Sequence, residues 1–336
     1  AIRLAENGFE VGEKLSQALS SERLRAVINL DDNPVTAAYF YPDGKPLPKG
    51  YLLKNPDYAA TLQRIATEGP SAFYTGEIAE GIVAAAGAEP YGSVMTMEDL
   101  ANYTVKTRPA VCGTLPTGYK ICSAPPPSSG GVAQNEIMGL YDLMKPGPNV
   151  KVSEDYYLKI FVDAQRLAYA DRDYYVADAD YVTVPTADLI NPDYLKVRAK
   201  EAFAPDAHAT PGDPGVALGR SPMIGMWGQD QTEHKPGTTH ISIIDTDGNA
   251  VSMTATVEAA FGSSRMTHGF LLNNQLTDFS RAPTAGGQPV ANAPAAGKRP
   301  RSSMSPTLVF DPDGGLFMVT GSPGGNSIIA YVAGSR

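Results

Sequence analysis

The sequence predicts an α+β protein, on three observations. Helical apolar spacing dominates the first half, as in Tyr157, Ile160, Phe161, Ala164 and Leu167. A Pro/Gly-punctuated stretch over 204–237 then breaks the periodicity. Beyond it the texture is strand-like: Val251, Met253 and Ala255 alternate with Ser252, Thr254 and Thr256. At about 150 residues per domain, a length of 336 residues suits roughly two domains or one large one. Hydrophobic residues at 43% and charged residues at 19% support a sizeable core and exclude wholesale disorder. Lys+Arg 27 against Asp+Glu 36 leaves a net charge of −9, which argues against a nucleic acid partner. No apolar run reaches about 18 residues, so no membrane-spanning helix is expected.

The elements follow in order. Ala1 to Gly8 lacks a start Met and the basic-then-apolar pattern of a signal peptide, so it reads as a helix tail closed by Gly8 in a mature or truncated chain. Asn55 caps a helix with Pro56 in its first turn, and Gly69-Pro70 stops it. A second helix covers about Thr75 to Ala86, and Thr96-Met97-Glu98-Asp99 opens a short third. Cys112 and Cys122 flank a Gly/Pro/Thr turn. A hairpin symmetric about Thr117 would set them face to face for a bridge, which points to an oxidising compartment. Two small buried residues are the other reading. Pro125 to Gly131 forces an extended entry into a helix over Val132 to Met144, and its Ser/Gly loop suits either a cap or an anion. Glu154 to Ala170 is helical, and the tyrosines from Tyr169 to Tyr181 read as packing. Residues 204–237 read as an exposed linker, where chains are cut. Strands follow at Thr239–Ile244 and Ala250–Val257 around an Asp-Gly turn, then at Thr307–Phe310 and Leu316–Thr320. Gly321 to Ser327 is a glycine loop before an apolar run.

The segment that carries chemistry is Pro236-Gly237-Thr238-Thr239-His240. A cut before Thr238 would give that residue a free α-amino group, and such an amine serves as base for its own hydroxyl. An α-amine titrates at about 8, close to working pH. A hairpin symmetric about Asp247 pairs Thr238 with Thr256, whose hydroxyl then orients or polarises the nucleophile. A slip of one residue would undo this. Gly-Thr-Thr before a strand usually carries no function by itself, so the weight rests on the wider context.

That context resembles the γ-glutamyltranspeptidase family of N-terminal-nucleophile hydrolases. The matching residues are Thr238-Thr239-His240, Asp247-Gly248-Asn249, Phe261-Gly262, Leu272-Asn273-Asn274-Gln275, Asp278-Phe279, Lys298 to Thr307, and Gly321-Ser322-Pro323-Gly324-Gly325. Upstream, Pro125 to Gly131, Tyr169-Ala170-Asp171-Arg172 and Gly69-Pro70 with Phe73-Tyr74 resemble the large subunit. The resemblance covers nearly the whole chain. It implies a four-layer αββα sandwich of two stacked antiparallel sheets, and a precursor that cuts itself between Gly237 and Thr238. Residues 1–237 would then be large-subunit-like and 238–336 small-subunit-like, intertwined as one domain and still associated after cleavage.

The same resemblance assigns roles. Thr238 would attack the γ-amide of glutathione or a related γ-glutamyl donor, and the γ-glutamyl ester would pass to water or an amine acceptor. Gly324 and Gly325 would supply oxyanion-hole N–H groups. Glu258, Asn273, Gln275 and Asp278 would hold the donor's α-amino end, and Ser302 with Ser303 its α-carboxylate. Arg299 and Arg301 flank that pair, and either could meet the substrate or a neighbouring acid. The family implies no cofactor, the histidines show no metal-ligand spacing, and a periplasmic or secreted location is expected. Family members run longer at both ends, and their carboxylate-clamping arginine lies in an N-terminal part outside this sequence, so the sandwich is expected to be incomplete. The loop Arg281 to Gly297 carries no tyrosine, so the pocket is expected to be open. A glutaryl-type β-lactam acylase is the alternative enzyme, but two acids suit an α-amino group that a glutaryl chain lacks. An inactive amino-acid-binding fragment is the alternative outside enzymes. A triad hydrolase built on His240 or His268 ranks last.

Overall fold

Short capped helices build the first hundred residues. Asn55 accepts a hydrogen bond from Tyr58 N at 2.9 Å and starts the helix Pro56–Glu68, which Gly69 closes at φ 81°. Thr75 precedes the helix Gly76–Gly87, and Thr96 and Asp99 form a reciprocal cap on Met97–Ala101. Helices at Glu13–Ser20, Glu22–Ile28 and Pro34–Phe40 were not legible in the pattern. They are only seven or eight residues long, too short for periodicity to stand out.

The computed structural model describes residues 1–29, 32–147, 149–201, 207–232 and 237–335. They fall into two compact units, Ala1–Thr107 with Ala259–Asn274, and Arg108–Glu258 with Gln275–Arg336. Each unit draws on both sides of the Gly237–Thr238 bond. The first unit has its own core, in which Leu19, Ile28, Phe40 and Leu47 pack with Phe261.

The second unit runs β1 (Val111–Thr114), β2 (Lys120–Ser123), α1 (Gly130–Met144), α2 (Glu154–Tyr175), α3 (Pro192–Arg198), β3 (Thr238–Ile244), β4 (Ala250–Thr256), β5 (Thr307–Phe310), β6 (Leu316–Thr320) and α4 (Ile328–Gly334). Strands β6-β5-β2-β1 form one antiparallel sheet. Cys112 pairs with Cys122 in register, and the two are disulfide-bonded. Helix α1 starts tight against this sheet: a Cβ on Gly131 would sit 2.6 Å from Val111 Cβ. Val132 and Leu140 of α1 pack with Leu167 of α2 and Tyr194 of α3, while Ala133 and Ile137 meet Ile329 of α4. Helix α2 extends past Ala170 to Tyr175, and burial of Tyr174 and Tyr175 bears out their reading as packing residues.

In line with an incomplete sandwich, the second antiparallel sheet of this unit is, among the described residues, the two-stranded hairpin of β3 and β4. Its hydroxyl face turns inward: Ser252 Oγ donates to Thr320 O at 2.9 Å and accepts from Thr307 N at 2.9 Å. Its apolar face turns outward, leaving Ile243 55% and Val251 52% exposed. One expectation needs correction: the described part of 204–237 is not a free linker but is tethered at buried points between exposed residues such as Val216 and Ile224. Gly212 N donates to Asp171 at 2.7 Å, Asp213 caps a short helix at Pro214–Ala217, and Asp230 is buried. These polar partners draw the Pro/Gly chain onto the helices. Residues 204–206 and 233–236, Pro236 among them, lie outside the described residues.

Candidate active site

Strand register places the proposed nucleophile. Thr238 pairs with Thr256 across the β3–β4 hairpin, the pairing that a turn centred on Asp247 requires. Thr238 Oγ1 donates to Thr256 Oγ1 at 3.3 Å, and Thr256 Oγ1 donates onward to the Gly237 carbonyl at 3.0 Å. The Thr256 hydroxyl also accepts from Glu258 N at 2.8 Å, which fixes its rotamer. The chain therefore holds a hydroxyl, a second hydroxyl and the carbonyl preceding Thr238 in one hydrogen-bonded line.

A cleft opens beside this line. Thr238, Thr256, Glu258, Gln275, Asp278, Ser302, Ser303 and Gly325 line it, with Met304 and Ile328 as apolar wall. Glu258 and Asp278 are each only 8% exposed, and Gln275 Nε2 donates to Asp278 Oδ2. Glu258 adopts φ 73°, a left-handed conformation that costs a non-glycine residue on the order of 1 kcal/mol and is a common mark of functional positions. Asn292 Nδ2 donates to Asp278 O at 2.8 Å and steadies the turn from below.

The serine pair is anchored by the Pro/Ser/Gly loop. Ser302 bridges Ser128, Ser129 N and Ser129 Oγ both donate to Ser302 O at 2.8 Å, and Ser302 Oγ accepts from Met304 N at 3.1 Å. Ser303 Oγ donates to Asn326 Oδ1 at 3.1 Å. Gly324 stands at φ 141° and Gly325 at φ 57°, a turn that side chains resist. Gly325 lines the cleft, and Gly324 immediately precedes it without lining it.

Other sequence-predicted residues lie elsewhere. Asn273 belongs to the first compact unit and is not among the residues lining the cleft. Arg301 is buried against acids, 2.8 Å from Asp230 and 3.3 Å from Asp173, and burial with the nearby Arg172 charge brings its pKa down to about 10. Arg299 NH1 lies 4.0 Å from Asp180, and its backbone N donates to Asp178 at 2.8 Å. Both arginines thus answer to neighbouring acids. His240 bridges Thr254 and Ser242 at 2.9 Å each, and burial holds its imidazole below the usual range, so it acts as a spacer within the strand face. Sequence reasoning missed Met304, Asn326 and Ile328. The glycine loop contains Asn326 and the apolar run begins at Ile328, so both signals were present without an indication of direction.

A family model described as gamma-glutamyltranspeptidase matches residues 1–335. The glutathione hydrolase proenzyme of Escherichia coli (strain K12) is 37% identical over 99% of this chain. The chain belongs to the gamma-glutamyltranspeptidase family. It spans 55% of that relative's length. Among solved structures, gamma-glutamyltranspeptidase from Helicobacter pylori matches with TM-score 0.53 and 33% identity, covering 67% of this chain and 60% of its own. Cephalosporin acylase from Bacillus halodurans matches with TM-score 0.76 and 23% identity over 95% of this chain and 54% of its own, a likeness of fold. The expected α+β fold is thereby shared with the Helicobacter pylori gamma-glutamyltranspeptidase and, as a likeness of fold alone, with the acylase.

Proposed function

We propose that this chain is a self-processing γ-glutamyl acyltransferase and hydrolase whose nucleophile is Thr238. The observation that carries the reading is the line Thr238 Oγ1, Thr256 Oγ1, Gly237 O, with contacts of 3.3 and 3.0 Å. In the precursor, Thr238 Oγ1 attacks the Gly237 carbonyl carbon. The Thr256 hydroxyl, already donating to that oxygen, stabilises the negative charge that develops there. The Gly237–Thr238 C–N bond breaks, the hydroxyl proton passes to the departing amine, and an ester joins Gly237 to Thr238 Oγ1. Water opens the ester, leaving a carboxylate on Gly237 and a free α-amine on Thr238.

The freed amine, titrating at about 8, then serves as general base for the same hydroxyl. Attack on the γ-carbonyl of a γ-glutamyl donor forms a γ-glutamyl ester and releases the amine portion. Water or an amino acid or peptide amine takes the γ-glutamyl group. Asp278 and Glu258, both buried, match a donor's α-ammonium, with Gln275 beside them. Ser302 and Ser303 match the α-carboxylate, and the N–H groups at Gly324 and Gly325 the oxyanion. Asn273 is the weakest of these assignments in geometry. The acid pair favours γ-glutamyl over glutaryl donors, and the name of the Escherichia coli relative, a glutathione hydrolase proenzyme, fits glutathione and a cleaved precursor. The Cys112–Cys122 bridge supports a periplasmic or secreted setting.

The test is intact mass after incubation near neutral pH, beside Thr238→Ala. Fragments 1–237 and 238–336, absent from the variant, are the expected result. An uncut chain in both samples, with no turnover of a γ-glutamyl anilide, removes the nucleophile from the account.

A further inference from the structure

Arg172 is an unusual side chain to find buried. It is 1% exposed, and it sits on α2 with its guanidinium 5.8 Å from the centre of the Tyr169 ring. Its donors fan out to three groups. Nε donates to Ser129 Oγ at 2.9 Å, NH2 donates to Ser303 Oγ at 2.6 Å, and NH1 pairs with Asp173 at 2.5 Å. Ser129 Oγ in turn donates to the Ser302 carbonyl at 2.8 Å. One cation thus holds both members of the serine pair, Ser303 by its hydroxyl and Ser302 by its backbone.

The chemistry at Ser303 follows from hydrogen-bond direction. A hydroxyl has one proton and two lone pairs. Arg172 NH2 occupies a lone pair, and the proton is directed to Asn326 Oδ1, 3.1 Å away. The guanidinium polarises the O–H bond and strengthens it as a donor, and bonds to charged partners carry more weight than neutral ones. A carboxylate entering the cleft takes that single proton in place of Asn326 Oδ1, with a buried positive charge behind the hydroxyl.

We propose that Arg172 is the positioning residue of the α-carboxylate subsite, acting through Ser303 to select donors that carry that carboxylate. The proposal rests on the γ-glutamyl reading above and deepens it. Asp173 neutralises part of the arginine's charge at NH1, so the fixed geometry at Ser303 matters as much as the charge itself.

The experiment compares two donors on the wild-type chain, Arg172→Lys, Arg172→Met, Ser303→Ala and the Arg172→Lys/Ser303→Ala double variant. One donor is γ-glutamyl para-nitroanilide. The other is γ-aminobutyryl para-nitroanilide, which keeps the amine and lacks the α-carboxylate. Loss of a hydrogen bond to a charged group sets the scale, so Arg172→Lys should lower the kcat/KM ratio of the first donor to the second about tenfold, mostly through KM. Once Ser303→Ala is present, Arg172→Lys should cause little further loss in that ratio. Equal losses for both donors, or losses that multiply in the double variant, overturn the proposal in favour of a purely structural arginine. Self-cleavage and thermal melting report whether the variants fold. Calorimetric binding of L-glutamate against γ-aminobutyrate gives a readout without turnover: the wild-type chain should prefer glutamate and Arg172→Lys should lose most of that preference. No preference in the wild-type chain overturns the subsite. Turnover of neither donor with the glutamate preference intact defeats the γ-glutamyl transfer reading and leaves Arg172 standing.

Discussion

Two polar regions buried in the same compact unit differ in kind. Around Asp171 the carboxylate is saturated: Tyr194 OH donates at 2.5 Å, Gly212 N at 2.7 Å, and Arg198 through NH2 at 2.9 Å and Nε at 3.1 Å. Around Thr238 the polar groups line a cleft. The strongest titration shifts belong to the closed region. Burial, then the Asp171 charge, pushes the Glu136 carboxyl well above its ordinary range, and burial raises Asp171 against the pull of Arg198. Here a strongly shifted carboxyl marks packing and not a reaction site.

The sharpest way to break this contrast is Asp171→Ala. It takes from the fully buried Arg198 its buried carboxylate and leaves it only the half-exposed Glu201 as an acid partner, and urea unfolding should show a loss of about 3–5 kcal/mol. A loss under about 1 kcal/mol would remove the distinction between the regions. Thr256→Val keeps the β-branched shape and removes the donor to Gly237 O. Its self-cleavage should slow about a hundredfold, about 2.7 kcal/mol, with melting near wild type. Cleavage at the parental rate would assign Thr256 to packing. Asp278→Ala should lower kcat/KM for a γ-glutamyl anilide about thirtyfold, about 2 kcal/mol, and leave self-cleavage intact.

The smallest effect is a pH signature at Glu136. Its raised pKa means the folded chain keeps a proton that the unfolded chain releases above the ordinary value of 4.5. The stabilisation is present below that value and is lost as pH rises toward the raised one. Glu136→Gln has no proton to lose. It should melt about 2–4 °C above the parent at about pH 8, with the gap closing at about pH 4. A gap that ignores pH would show that folding does not raise the Glu136 pKa.

Much of this was legible in sequence because it depends on local chemistry. Cap residues Asn55 and Thr96, the Cys112–Cys122 pairing and the Thr238–Thr256 register all follow from spacing and turn symmetry. Alternation along β4 separated hydroxyls from apolar residues, yet it gave no sign that the hydroxyls would face inward, since burial depends on what lies opposite. The buried partners of residues 207–232 were hidden for the same reason: a Pro/Gly composition says nothing of Asp171 waiting for Gly212 N. Arg172 stands inside the Tyr169-Ala170-Asp171-Arg172 motif, but two of its partners, Ser129 and Ser303, come from distant positions that no periodicity connects.

The central claim is that the Thr238 hydroxyl becomes the acyl carrier. Acid quench of the cleaved chain during turnover of a γ-glutamyl anilide, followed by peptide mapping, tests it most directly. The account predicts a γ-glutamyl ester on the peptide that begins at Thr238. An adduct on Ser302 or Ser303, or turnover that continues in Thr238→Ala, would contradict it.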